Sequence, residues 1–164
     1  MLSYPDGTFI PLAVATHGLV GLTLGAVLFG RPWTGLVGGL FADGDFLFPD
    51  ALGPAFVHRS FTHSALVLGV ATGVAVAVAS RGPTRRATQT GGALAVAYLS
   101  HLLIDTTTPQ GVQWFWPLVT EKIHVDLVIG GHAPIVTLSF WVVCLGLLLV
   151  WGRDVVSAPM LDWG

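Results

Sequence analysis

The sequence predicts an all-α protein: a polytopic membrane helix bundle of about five crossings, one of them short or broken, forming a single transmembrane domain over residues 1–164. Three observations predict it. Of the 164 residues, 53% are hydrophobic and only 10% charged, with a mean hydropathy of +0.76, too apolar for an ordinary soluble domain of this size. Four apolar runs each approach the roughly 20 residues that a spanning helix requires. Glycines recur at Gly18, Gly21 and Gly25 and again at Gly35, Gly38 and Gly39, the small-residue spacing that lets membrane helices pack closely.

In chain order the helices are expected at about 12–30, 33–48, 62–80, 89–107 and 133–152. The second is the weak one. It is apolar for about ten residues before Asp43, which at about 1.5 Å per residue reaches half of a hydrocarbon core of about 30 Å. Ser60 or Thr62 is the expected cap of the third helix. Arg81, Arg85 and Arg86 crowd the linker before the fourth, and such a cluster normally stays in the cytoplasm. Five crossings then put Arg31 and Arg153 on the same side and only Arg59 and Lys122 opposite, with the N-terminus outside and the C-terminus inside. Met1 to Pro11 has no basic n-region and carries Asp6, so no cleavable signal peptide is expected.

Charge and cysteine content exclude other classes. A net charge of −2 and a single lysine, Lys122, give no basic patch for nucleic acid. The lone Cys144 can form no internal disulfide and rules out thiolate-rich zinc sites.

Against this apolar background the ionisable residues stand out. Asp43-Gly44-Asp45, His58-Arg59-Ser60-Phe61-Thr62-His63 and His101-Leu102-Leu103-Ile104-Asp105 interrupt hydrophobic runs, where an unpaired charge costs several kcal/mol. Their depths agree. Measured from the arginine side, His17 lies 14 residues from Arg31, Asp43 12 and Asp45 14, His63 18 from Arg81, and His101 and Asp105 15 and 19 from Arg86. These counts are heights of roughly 18 to 29 Å on helices, one layer in the outer half of the membrane.

The chemistry of that layer points to a metal. His101 and Asp105 are four apart and project from one helix face. Asp43 and Asp45 flank a glycine, which suggests a turn where both carboxylates converge. Imidazole and carboxylate without thiolate suit zinc, manganese or iron. The candidate ligands are therefore His17, Asp43, Asp45, His63, His101 and Asp105. Each has a plainer role: His17 could pack helices, Asp43 and Asp45 could end one, and His58 and Arg59 could be solvated loop residues. For His124, Asp126 and His132, in a polar linker, the solvated role is the expected one, with a peripheral metal contact as the alternative.

The ordered set Thr16-His17, Asp43-x-Asp45, His58-Arg59-x-x-Thr62-His63-Ser64, His101-x-x-x-Asp105, Gly111 and Trp116-Pro117 resembles the YdjM family of membrane-bound metal-dependent hydrolases, over most of residues 16 to 117. Where the family shows Pro-Asp-x-Asp-His, this chain has Ala42-Asp43-Gly44-Asp45-Phe46, so position 46 supplies no ligand. The ligand order is more distantly similar to zinc-dependent phospholipases C, with His17, Asp43 or Asp45, His63, His101 and Asp105 matching its first part. Neither His124 nor His132 is followed by a glutamate three residues on, so the similarity implies one or two ions, most simply zinc, rather than three.

Together these imply a metal-dependent hydrolase of the cell membrane acting on a phosphoester of a lipid or amphiphile. Arg59 would bind the anionic group and His58 would act as general acid or further ligand. Gln113-Trp114-Phe115-Trp116-Pro117 would lie at the interface and frame access for lipid. A metal or proton transporter, or a scaffold with a structural metal, would use the same residues, although Val70 to Ala79 and Cys144 to Val150 carry no ionisable group for a transport path. The topology has a direct check. A cysteine placed at Arg85 reacts with an impermeant maleimide only in opened membranes, and labelling of intact cells would overturn the orientation.

Overall fold

The computed structural model describes residues 7–49, 52–127 and 129–152, and among these every regular element is helical. Arg153 and the N-terminal residues through Asp6 lie outside them. Helix α1 (Phe9–Phe29) ends on Gly30 in the left-handed conformation (φ 63°). The Gly30 and Arg31 N–H groups return to Ala26 and Gly25 carbonyls, and Pro32 opens α2 (Pro32–Phe41) at its first turn. A short 3-10 segment, Ala42–Leu47, continues α2 and carries Asp43 and Asp45.

The α1–α2 hairpin is closed by glycine on glycine. A Cβ added at Gly35 would lie 2.2 Å from the Gly21 carbonyl oxygen, and one at Gly39 2.3 Å from that of His17. Gly38 faces the third partner, where a Cβ would come within 2.7 Å of the Leu94 carbonyl of α4 (Thr84–Thr106). The small-residue pattern therefore encodes backbone contact, with α2 wedged between α1 and α4.

Helix α4 is the centre of the bundle. It contacts α1, α2 and α3 (Ala65–Ala79), and its Ala93, Ala97, Tyr98 and Leu102 are wholly buried. It begins several residues before the expected position 89, so the polar stretch Thr84 to Thr90 is helical too. Helix α3 begins at 65, later than the expected 62. Its cap is neither Ser60 nor Thr62 but Ser64, whose hydroxyl accepts the Val67 N–H at 3.3 Å. Thr62 is diverted to the carboxylate of Asp45.

Helix α5 (Pro134–Leu147), extended by a π turn over Leu148–Gly152, packs on α1. Two spans, Phe9–Phe29 and Pro134–Trp151, are long and apolar enough to cross a membrane. Helix α3 is apolar but shorter. Helix α2 has 10 residues, about 15 Å, too short to cross alone. The fold is all-helical as expected, and by length and hydropathy two of the described helices are candidate crossings.

The segment between α4 and α5 is irregular but pinned. Val112 and Ile123 form an antiparallel bridge, Val125 N–H donates to Thr106, and Gln113 N–H donates to the Arg59 carbonyl. Trp114 is half-buried, its indole N–H on Thr106 Oγ1 at 2.8 Å, and its carbonyl accepts from Ala65 N. Phe115 and Leu118 are exposed.

The glycine contacts yield a prediction. Gly35→Ala should lower the unfolding midpoint in detergent by a shift worth about 1–3 kcal/mol, the usual cost of overpacking. Gly73→Ala, where a Cβ meets nothing within 4 Å, should leave it unchanged.

A candidate metal centre

One carboxylate gathers the site. Asp105, 1% exposed in the last turns of α4, faces four imidazoles: Oδ1 lies 2.8 Å from His132 Nε2 and 3.3 Å from His17 Nε2, and Oδ2 lies 3.4 Å from His63 Nε2 and 3.5 Å from His101 Nε2. The Arg59 guanidinium donates to Oδ1 at 3.2 Å and to the Thr108 hydroxyl. His17 comes from α1, His63 from the turn before α3, His101 and Asp105 from α4, and His132 from the approach to α5. His17 and His101 stack with centroids 3.6 Å apart, and His132 meets His17 edge-on.

Asp45 organises a second cluster. Its Oδ1 pairs with His58 Nδ1 at 2.9 Å. Its Oδ2 accepts from the Arg59 backbone N–H at 3.1 Å and the Thr62 hydroxyl at 3.0 Å, and faces His63 Nδ1 at 3.2 Å. Arg59 adopts φ 68°, uncommon for a residue with a side chain. That conformation turns its N–H onto Asp45 while its side chain reaches Asp105. The Thr62 carbonyl accepts the buried Tyr98 hydroxyl of α4, tying this loop to the central helix.

The hydrogen bonds settle which nitrogens face inward. His101 Nδ1 donates to the Gly39 carbonyl at 2.7 Å, and His63 Nδ1 is held by Asp45. Each ring therefore presents the lone pair of Nε2 to the other, at 3.3 Å. Two acceptors that face each other beside the Asp105 carboxylate need a proton or a shared cation between them. The tether of one ring nitrogen to a carboxylate or a backbone carbonyl is also how metal-binding histidines are held. Buried polar atoms left without a partner, Asp43 Oδ2, His17 Nδ1 and His132 Nδ1, border the same space.

The donor set thus fits a metal. Two groups could hold an ion: His17 with His101 and Asp105, and Asp43 with His58 and His63, the ligand atoms of each within 4.8 Å of one another. The two adjoin, with Asp43 Oδ1 3.6 Å from His101 Nε2. A cleft lined by His17, Asp43, His58, Arg59, Asp105 and His132 opens above them, walled by Phe46 and by Ile10, Ala13 and Val14 of α1.

All six sequence-predicted ligands and both predicted polar partners, His58 and Arg59, therefore meet within one region. Asp45, like Asp105, has both oxygens engaged, here by His58, His63, Arg59 and Thr62. His132, expected to be a solvated linker residue, is instead buried against Asp105. His124 and Asp126 remain at the surface as expected, paired at 3.6 Å. Lys122 Nζ donates to the His58 carbonyl. Desolvation, and then the nearby Arg59 charge, lower its pKa below the usual lysine value.

The fold and this centre define a helical membrane protein with a buried histidine and carboxylate site able to hold metal. A model of the YdjM inner membrane protein family matches residues 12–161, and the chain belongs to that family. It is also 29% identical over 167 residues to inner membrane protein YbcI of Escherichia coli (strain K12), covering 92% of this chain and 96% of that protein. No solved structure matches it.

Metal content tests the centre. His63→Ala and His101→Ala should each abolish stoichiometric metal in protein purified without chelator, measured by elemental analysis. Asp45→Asn should weaken affinity about 10- to 100-fold, the usual effect of losing a partner that orients a ligand. Ligating imidazoles must be neutral, so metal should be retained at neutral pH and lost on acidification. Retention of full metal in both alanine variants would overturn the assignment.

Proposed function

We propose that this chain is a multi-pass membrane hydrolase that uses one or two divalent metal ions, zinc most simply and otherwise manganese or iron, to cleave a phosphoester of a lipid or amphiphile. The observation that carries the reading is the pair of adjoining ligand groups beneath a cleft that also contains a guanidinium and a half-exposed histidine. When bound, a metal there supplies Lewis acidity and a lowered pKa for water. The chain's own residues do the rest. Arg59, permanently charged and planar, binds and orients the anionic oxygens of the substrate. His58, its Nδ1 on Asp45, keeps Nε2 for a proton or a metal, and the bond to Asp45 fixes which nitrogen that is. Asp45 positions both His58 and His63 and excludes the wrong tautomers.

In this reading five segments cross the cell membrane, the site lies in the outer half, and Phe115 and Leu118 sit at the lipid interface. The transporter alternative needs access from both faces. Between the site and the arginine end, the Gly21–Gly35 contact leaves no room for a Cβ, let alone an ion path. A scaffold with a structural metal uses the same ligands without turnover.

Purified metal-loaded protein should release phosphate or alcohol from a phospholipid, an isoprenoid phosphate or a generic phosphoester. Arg59→Lys should lower kcat/KM about 10- to 100-fold with metal content unchanged, because the planar fork is lost and the charge kept. Stoichiometric metal without turnover on any of the three would favour the scaffold. Metal flux into liposomes that is lost in Asp105→Ala would favour transport.

A further inference from the structure

The cleft over the metal centre is small. Its volume of about 30 Å3 matches the space of a single water, so it holds reacting atoms and not the body of a lipid. A groove of about 620 Å3 lies on the other side of the Ala42–Leu47 segment, between α2 and the start of α3. Val37, Leu40, Phe48 and Val67 are among its walls. The polar side chain lining it is Thr62, whose hydroxyl is already committed to Asp45, so the groove presents no unused hydrogen-bonding side chain. Leu47 and Phe48 at its rim are exposed.

Groove and cleft share one backbone. Asp43 and Phe46 face the cleft, while Gly44 and Leu47 face the groove. Gly44 has no side chain, and a Cβ added there meets nothing within 4 Å. The bare backbone between the two carboxylates is thus a low saddle joining an apolar groove to the polar centre. We propose that the groove is the binding site for the hydrocarbon chain of a long-chain amphiphile whose anionic head crosses Gly44 to reach the metal centre. This rests on the hydrolase reading for its head group and on the shape and chemistry of the groove for its tail. Lipids that merely coat the protein would cover the outer faces of α3 and α5 equally.

The test uses the full chain, reconstituted in phosphatidylcholine vesicles, with a hexadecyl phosphate carrying a terminal diazirine. Cross-links mapped by mass spectrometry should concentrate on Val37, Leu40, Phe48 and Val67, and excess unlabelled hexadecyl phosphate should suppress them. Labels spread over Val70, Val74, Leu138 and Val142 without enrichment, or insensitive to competitor, would overturn the groove. Val37→Trp, which fills the groove from its rim, should cut groove labelling and kcat/KM for hexadecyl phosphate about tenfold, leaving metal content and p-nitrophenyl phosphate turnover unchanged. Val37→Phe should do the same in smaller measure if Val37→Trp fails to fold. Equal loss on both substrates in either variant would count against a chain site. Groove labelling without turnover of any phosphoester leaves the chain site standing and removes the hydrolase reading. Turnover with dispersed labelling does the reverse.

Discussion

The carboxylate of Asp105 is the constraint around which the bundle is arranged. A charge that is 1% exposed in so apolar a chain is tolerable only when fully compensated. Compensation comes from Arg59 and from imidazoles delivered by α1, by the turn before α3, by α4 and by the approach to α5. Helices α1 and α4 and the segments leading into α3 and α5 therefore each send at least one side chain to this carboxylate. Removing Asp105 would leave four histidines and an arginine facing one another, so the site and the packing of its end of the bundle are one problem.

Helix α2 contributes backbone instead. Gly35 and Gly39 let it lie against α1, and Gly38 lets it lie against α4. Only at that distance does the Gly39 carbonyl reach His101 Nδ1 and fix which nitrogen faces the centre. The glycines that look like generic helix packing are thus part of the site's electrostatics. A larger residue at 39 would push away both the helix and the acceptor that orients His101.

Much of this was legible in the sequence because depth is linear in residue number along a helix. His17, His101 and Asp105 sit on regular helices, and simple counting brought them to one level. Asp43, Asp45 and His63 meet the others although they lie on 3-10 turns, since each is near the end of a helix. What counting could not supply was orientation. It could not distinguish Asp43, with an oxygen unpartnered, from Asp45, whose oxygens hold two histidines, because that depends on the left-handed turn at Arg59. His132 escaped for a related reason: its neighbours read as a polar linker, and burial there comes from docking against Asp105 rather than from local pattern. Two spans pass a length and hydropathy test against five expected, and α4, with Arg85 and Arg86 at one end and Asp105 at the other, is not one of them.

The bundle is also asymmetric along its length. At one end glycine contact closes α1 against α2, and the arginine-bearing linker caps α3 and α4. At the other end the connections are long, irregular and rich in His, Asp, Arg and Thr. Loops cannot sit in hydrocarbon unless their backbone groups are satisfied. Here the Val112–Ile123 bridge, the Gln113 bond to Arg59 and the Trp114 bond to Ala65 satisfy them in part while holding Arg59 over the centre. The contacts that satisfy this irregular segment are the contacts that position the Arg59 cation over the carboxylate.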